Sequence, residues 1–112
     1  MDGPANFKVK LLRDGSRRVV SATGELDLNT VNVLAEQLTN RTQGGFSKLT
    51  LDLRELAFMD SSGLKFLIEL NNESKREGWR LALLAPTNEA AALVLRVTGA
   101  DKALPFERAD QP

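Results

Sequence analysis

The sequence predicts an α/β fold: a mixed sheet of four or five strands with an N-terminal hairpin and three to four helices packed on it. Three observations carry this expectation. Short segments that alternate apolar and polar residues are interleaved with segments of helical periodicity. An Asp14-Gly15 turn joins the first two alternating segments, as in a hairpin. The chain has 112 residues, 42% of them apolar, enough for one core and no more. One domain is expected over residues 7–108, with a loose leader at 1–6 and a flexible tail at 109–112.

Residues 7–11 (Phe-Lys-Val-Lys-Leu) alternate and read as the first strand. Residues 18–23 read as the second, ending at Gly24. Asn29 or Thr30 then offers a side-chain oxygen to cap a helix whose apolar face is Val31, Leu34 and Leu38 with Ala35 alongside. The run Thr42-Gln43-Gly44-Gly45 stops that helix. A third strand covers residues 48–53, and 54–59 reads as a connecting segment. A long helix follows from about Ser62 to Glu77, its inner stripe expected at Leu64, Leu67, Ile68 and Asn71, with Phe66 and Leu70 partly off it. Gly78 ends it. Residues 80–85 are apolar enough for a strand buried on both faces. A third helix spans residues 88–97, closed by Gly99, and Leu104-Pro105-Phe106 suits a short edge strand.

Two strand–helix–strand crossovers result, and they gather the loops at 24–29, 59–63 and 85–88 on one edge of the sheet. Open α/β sheets place their binding sites on that edge.

Composition excludes several functions. Fifteen basic residues balance fifteen acidic ones, which argues against a nucleic-acid binder and against a polybasic membrane module. With no cysteine and no histidine, disulfides, thiolate catalysis and the commonest general base and metal ligand are absent. No metal, cofactor or catalytic residue is expected. No Gly-rich phosphate loop of the usual spacing occurs, so a nucleotide-hydrolysing domain is disfavoured. No apolar run approaches the roughly 20 residues of a membrane span, and no signal peptide is visible, so a cytoplasmic protein is expected.

Asp60-Ser61-Ser62-Gly63-Leu64 stands where a strand or connector hands over to a helix. A helix N-terminus has unpaired N–H groups and a partial positive charge, which suit an anion. A phosphate on a serine there adds roughly −1.5 to −2 charges without opposing the fold. Asp, Ser and Gly are also what an ordinary helix start uses. The sequence has no histidine to serve the serines as a base, which argues against nucleophilic catalysis.

Phe58-Met59-Asp60-Ser61-Ser62-Gly63-Leu64, with Gly24-Glu25-Leu26-Asp27 upstream, resembles the STAS domain of bacterial anti-sigma factor antagonists. The resemblance runs over residues 7–106. It implies a STAS-type sheet. It also implies a protein that binds an anti-sigma factor with serine kinase activity and so frees a sigma factor. Ser61 maps to the phosphorylated serine; the phosphorylated form no longer binds, and a metal-dependent serine phosphatase restores it. Asp60 and Ser62 flank the target, and Glu25 and Asp27 fall in the matching upstream motif; all four become expected partner contacts, with no role for nucleic acid or membrane. Lys65 and Phe66 depart from the family pattern, in which small residues often follow Gly-Leu, and Lys65 is a further expected contact. Met59 is either an exposed contact or a gap-filling core side chain. The alternative is a non-switching STAS scaffold or an accessory subunit of a transporter complex.

Trp79 is expected to pack at the base of the fourth strand, and Arg17 and Arg18 to form a solvated hairpin edge. Glu69, Glu73 and Glu77 stand at i,i+4 spacing on the outer helix face, where like charges cost a little stability.

Overall fold

In the computed structural model, which describes residues 7–41 and 46–107, the alternating segments become one sheet. The leader at 1–6, the helix stop at 42–45 and the tail at 109–112 lie outside the described residues. β1 (Lys8–Asp14) and β2 (Arg17–Leu26) form the antiparallel hairpin, in register from Lys8 opposite Thr23 to Asp14 opposite Arg17. α1 (Val31–Arg41) carries the chain to β3 (Lys48–Asp52), which runs parallel to the first half of β2. α2 (Ser61–Glu77) then leads to β5 (Arg80–Leu84), parallel to β3. Both crossovers are therefore as the sequence predicts.

The sheet has six strands, more than the four or five expected. The extra one is β4 (Leu56–Met59), which lies within the predicted connector and pairs in parallel with the end of β2. Its burial explains the omission: Leu56 and Met59 are buried while Ala57 and Phe58 both face out, so the period-two signature is missing. β6 (Phe106–Glu107) closes the far edge beside β5, and the order is β1-β2-β3-β5-β6. α3 (Glu89–Thr98) begins at Asn88, whose side chain accepts from the Ala90 N–H. A one-turn α4 (Ala100–Ala103) follows Gly99.

Burial alternates along β2 and β3, so Val20, Ala22, Leu49 and Leu51 point into the core. β5 contributes three consecutive buried residues, Leu81, Ala82 and Leu83, as expected of a strand covered on both faces. Leu34 from α1, Leu67 from α2 and Leu95 from α3 complete the core. Trp79 packs edge-on against Phe46 at the base of β5, ring centroids 5.1 Å apart. Arg18 departs from its expected place on a solvated edge. It is only 8% exposed, because it falls on the inward side of β2 and its Nη1 donates to the carbonyls of Gly15 and Arg17.

α2 is rolled relative to the expected stripe. Its buried residues are Gly63, Leu67, Leu70 and Ser74, whereas Ile68 is 42% exposed and Leu64 and Asn71 are half-buried. Glycine at 63 causes the roll, since it lets the first turn of the helix lie directly on Leu26 and Met59.

The connector between β3 and β4 is held by charge and backbone bonds. Asp52 accepts from the Arg54 N–H and from two guanidinium nitrogens at 2.9 and 2.8 Å. Arg54's carbonyl in turn accepts from the Thr87 N–H and hydroxyl.

Two outcomes are expected. In urea denaturation Leu67→Ala costs about 2–5 kcal/mol, while Ile68→Ala costs less than about 1 kcal/mol; equal losses would refute the rolled orientation. The Arg54 hydrogen bonds, more than the opposing desolvation, hold the Asp52 carboxyl below its ordinary pKa. A lowered folded-state pKa stabilises above the unfolded value, about pH 4, and that contribution is lost as pH falls through the folded value. Asp52→Asn therefore flattens the acid limb of a stability–pH profile; an unchanged limb would show that the pair contributes nothing.

Candidate functional site

The segment Asp60–Ser62 is fixed from below by the end of β2. Gly24, at φ +104, sits at a register shift in β2, after which Glu25 and Leu26 pair with Phe58 and Met59. The Asp60 N–H then donates to the Leu26 carbonyl at 3.2 Å, so the 24–29 and 59–63 loops are laced together as the sequence suggested. The third loop of the expected edge, 85–88, is tied to Arg54 through Thr87.

Asp60 is the N-cap of α2. Its Oδ1 accepts from the N–H groups of Ser62 at 2.8 Å and Gly63 at 3.3 Å, and its carbonyl accepts from the Leu64 N–H. Two of the donors that make a helix start attractive to anions, the N–H groups of Ser62 and Gly63, are therefore occupied by the protein's own carboxylate. Ser61 is exposed, and among the described residues its hydroxyl makes no hydrogen bond. Ser62 is half-buried and Lys65 exposed.

Gly63 is buried for a steric reason. A Cβ there would lie 2.7 Å from the Met59 side chain and 3.0 Å from the Leu26 carbonyl oxygen. Met59 is thereby assigned. At 2% exposure it is a core side chain wedged under the helix, and the exposed-contact reading is set aside.

The neighbouring loop is capped by Asp27, where the sequence pointed to Asn29 or Thr30. Asp27 Oδ1 accepts from the Asn29 and Thr30 N–H groups, and Thr30 Oγ1 accepts from the Asp27 N–H, a reciprocal arrangement like a capping box. Thr30 is buried and also donates to the Glu25 carbonyl at 2.6 Å. Asp27 is half-buried and has a structural task, which leaves Glu25 as the exposed carboxylate of the motif. The Asp-x-x-Thr spacing was the available signal for this cap.

A groove of about 440 Å³ runs between α1 and α2 and opens beside Ser62 and Lys65. Val31, Ala35, Phe66 and Leu70 form its apolar floor, and Leu28, 71% exposed, stands at its mouth. Glu69 and Glu73 line it too, so these two glutamates belong to a surface feature and not simply to a solvated outer face. Sequence reasoning did not assemble this groove; Leu28, an apolar residue in a polar loop, was its one hint. Among the described residues no group of three or more acidic residues is arranged to hold a metal ion, and no helix is long and apolar enough to cross a membrane.

The family model described as "Mlab, STAS domain" matches residues 9–105. The chain is a STAS domain. Solved structures with the same fold include an anti-sigma factor antagonist from Mycobacterium paratuberculosis, 23% identical, with TM-score 0.71 over 95% of this chain and 89% of that one. The antagonist SpoIIAA in its unphosphorylated form is 24% identical, with TM-score 0.71 over 94% of this chain and 89% of that one. The Bacillus cell fate determinant SpoIIAA in its phosphorylated form is also 24% identical, with TM-score 0.65 over 94% and 92%.

Within this STAS domain the division of labour at the helix start gives a stability test. Asp60→Ala loses the cap and costs about 0.5–2 kcal/mol, whereas Ser61→Ala stays within about 0.5 kcal/mol of wild type by thermal or urea unfolding. Gly63→Ala is destabilising by about 1–3 kcal/mol through overpacking on Met59 and Leu26. A Ser61→Ala loss as large as that of Asp60→Ala would make the serine part of the cap.

Proposed function

We propose that this STAS domain is an anti-sigma factor antagonist: a binding protein that docks on an anti-sigma factor with serine kinase activity and is inactivated by phosphorylation of Ser61. In this reading the released sigma factor is the output, and a serine phosphatase resets the switch. Glu25, Asp60, Ser62 and Lys65 form or flank the docking edge around the phosphoacceptor, and Asp27 supports it by holding the neighbouring loop.

One observation carries the reading. Ser61 is exposed and its hydroxyl makes no hydrogen bond among the described residues, while the adjacent Asp60 does the capping that would otherwise explain a serine at a helix start. Its hydroxyl is thus open to a kinase, and adding a phosphate removes no bond that the fold uses. The consequence falls on docking. A charge of roughly −1.5 to −2 joins the carboxylates of Asp60, Asp27 and Glu25, and an approaching surface must desolvate it. The unphosphorylated and phosphorylated SpoIIAA structures, similar in fold, give this reading its precedent.

A second reading, a constitutively bound scaffold or transporter accessory subunit, draws on the groove. An apolar floor beside an exposed Leu28 suits a lasting contact as well as a switched one. The two separate experimentally. With the cognate kinase and ATP, intact-mass and fragment spectra show one phosphate, on Ser61. Ser61→Ala binds the kinase constitutively, and Ser61→Asp weakens binding about 100-fold, the scale of several kcal/mol for a misplaced interfacial charge. Wild-type affinity in both variants would leave the constitutive reading standing.

A further inference from the structure

We infer that Lys65 is the built-in counter-ion for a phosphate on Ser61, so that phosphorylation closes an ion pair across the first turn of α2 at the mouth of the α1–α2 groove. This inference rests on Ser61 as phosphoacceptor.

The usual partners of a phosphate at a helix start are its N–H groups, and here, among the described residues, that of Ser61 itself is left while those of the next three residues are taken. Asp60 Oδ1 holds those of Ser62 and Gly63, and the Asp60 carbonyl holds that of Leu64. One N–H is little compensation for a charge of roughly −1.5 to −2, so a side chain is needed beside it. On the two segments that form the site, the charged groups are Glu25, Asp27, Asp60 and Lys65. The two charges of α3, Glu89 and Arg96, are joined to each other. Lys65 is the cation one turn beyond Ser61, at i,i+4, where side chains on a helix surface sit about 5–6 Å apart at Cβ.

Lys65 is exposed, and among the described residues it makes no ion pair. Glu69 stands one turn further on and does not engage it. The competition favours the phosphate on two counts. It carries up to twice the charge of a carboxylate, and an anion N-terminal to a lysine is the better i,i+4 order. Lys65 also lines the groove beside Ser62, so pairing draws the ammonium toward Ser61 and removes it from any partner's reach. A lysine at position 65 thus gives the modified serine a local clamp.

The test uses the full chain with phosphoserine placed at position 61 during synthesis, so no kinase is needed. Pairing favours the dianion, and the phosphate's second ionisation followed by phosphorus NMR reads it. The expected acid dissociation constant is about twofold to threefold larger in the wild-type background than in Lys65→Gln at low salt. Lys65→Arg restores it, Lys75→Gln, over two turns away, leaves it unchanged, and added salt to about 1 M erases the difference. A constant that is the same for Lys, Gln and Arg at position 65 would overturn the clamp. Failure of the kinase reaction on Ser61 would count against the switch alone, because the installed phosphate reports on Lys65 regardless.

Discussion

The contact of Leu26 with Met59 and Gly63 is the constraint on which the site depends. Leu26 ends β2, Met59 ends β4, and Gly63 lies in the first turn of α2. Because glycine has no Cβ, the helix start settles onto both side chains, and the Asp60 N–H reaches the Leu26 carbonyl. Everything exposed at that edge inherits its position from this buried joint. Leu26 and Met59 are nearly inaccessible to water, so moving Ser61 relative to Glu25 would require opening the core.

The joint also separates two tasks that a serine-rich helix start could have merged. Capping is assigned to Asp60, which sits half-buried above the joint. Presentation is assigned to Ser61, which projects outward. A hydroxyl engaged as a cap would oppose its own modification, because phosphorylation would cost the helix a hydrogen bond of about 0.5–2 kcal/mol. Under the proposed switch the modification and the fold are nearly independent, which is the energetic condition for reversibility on a marginally stable domain.

Much of this was legible from sequence. The hairpin, both crossovers and the helix ends at Gly78 and Gly99 follow from alternation, helical spacing and glycine placement. What failed did so for identifiable reasons. β4 was hidden because only its first and last residues are buried, a spacing of three that breaks the period-two pattern of a strand. The roll of α2 was missed because Gly63 counts as polar or neutral in a periodicity argument, although its lack of a side chain is what lets that face lie against Met59 and Leu26. Arg18 was misplaced because a strand's inward positions are expected to be apolar, yet a hairpin end lets a guanidinium reach turn carbonyls. The groove needed two helices from different crossovers and had no signature in either alone.

The charge distribution shows what a net charge of zero conceals. Balanced totals excluded a polybasic surface, but balance over 112 residues says nothing about a single edge. Around Ser61 three carboxylates face one ammonium, and along the groove Glu69 and Glu73 repeat the sign. Like charges at i,i+4 on α2 cost a little helix stability, and among the described residues neither glutamate has an ion-pair partner. Lys65 therefore sits between Ser61 and the acidic groove. Lys65 is the one positive charge among these groups, and under the proposed switch a phosphate one turn away neutralises it without moving the backbone.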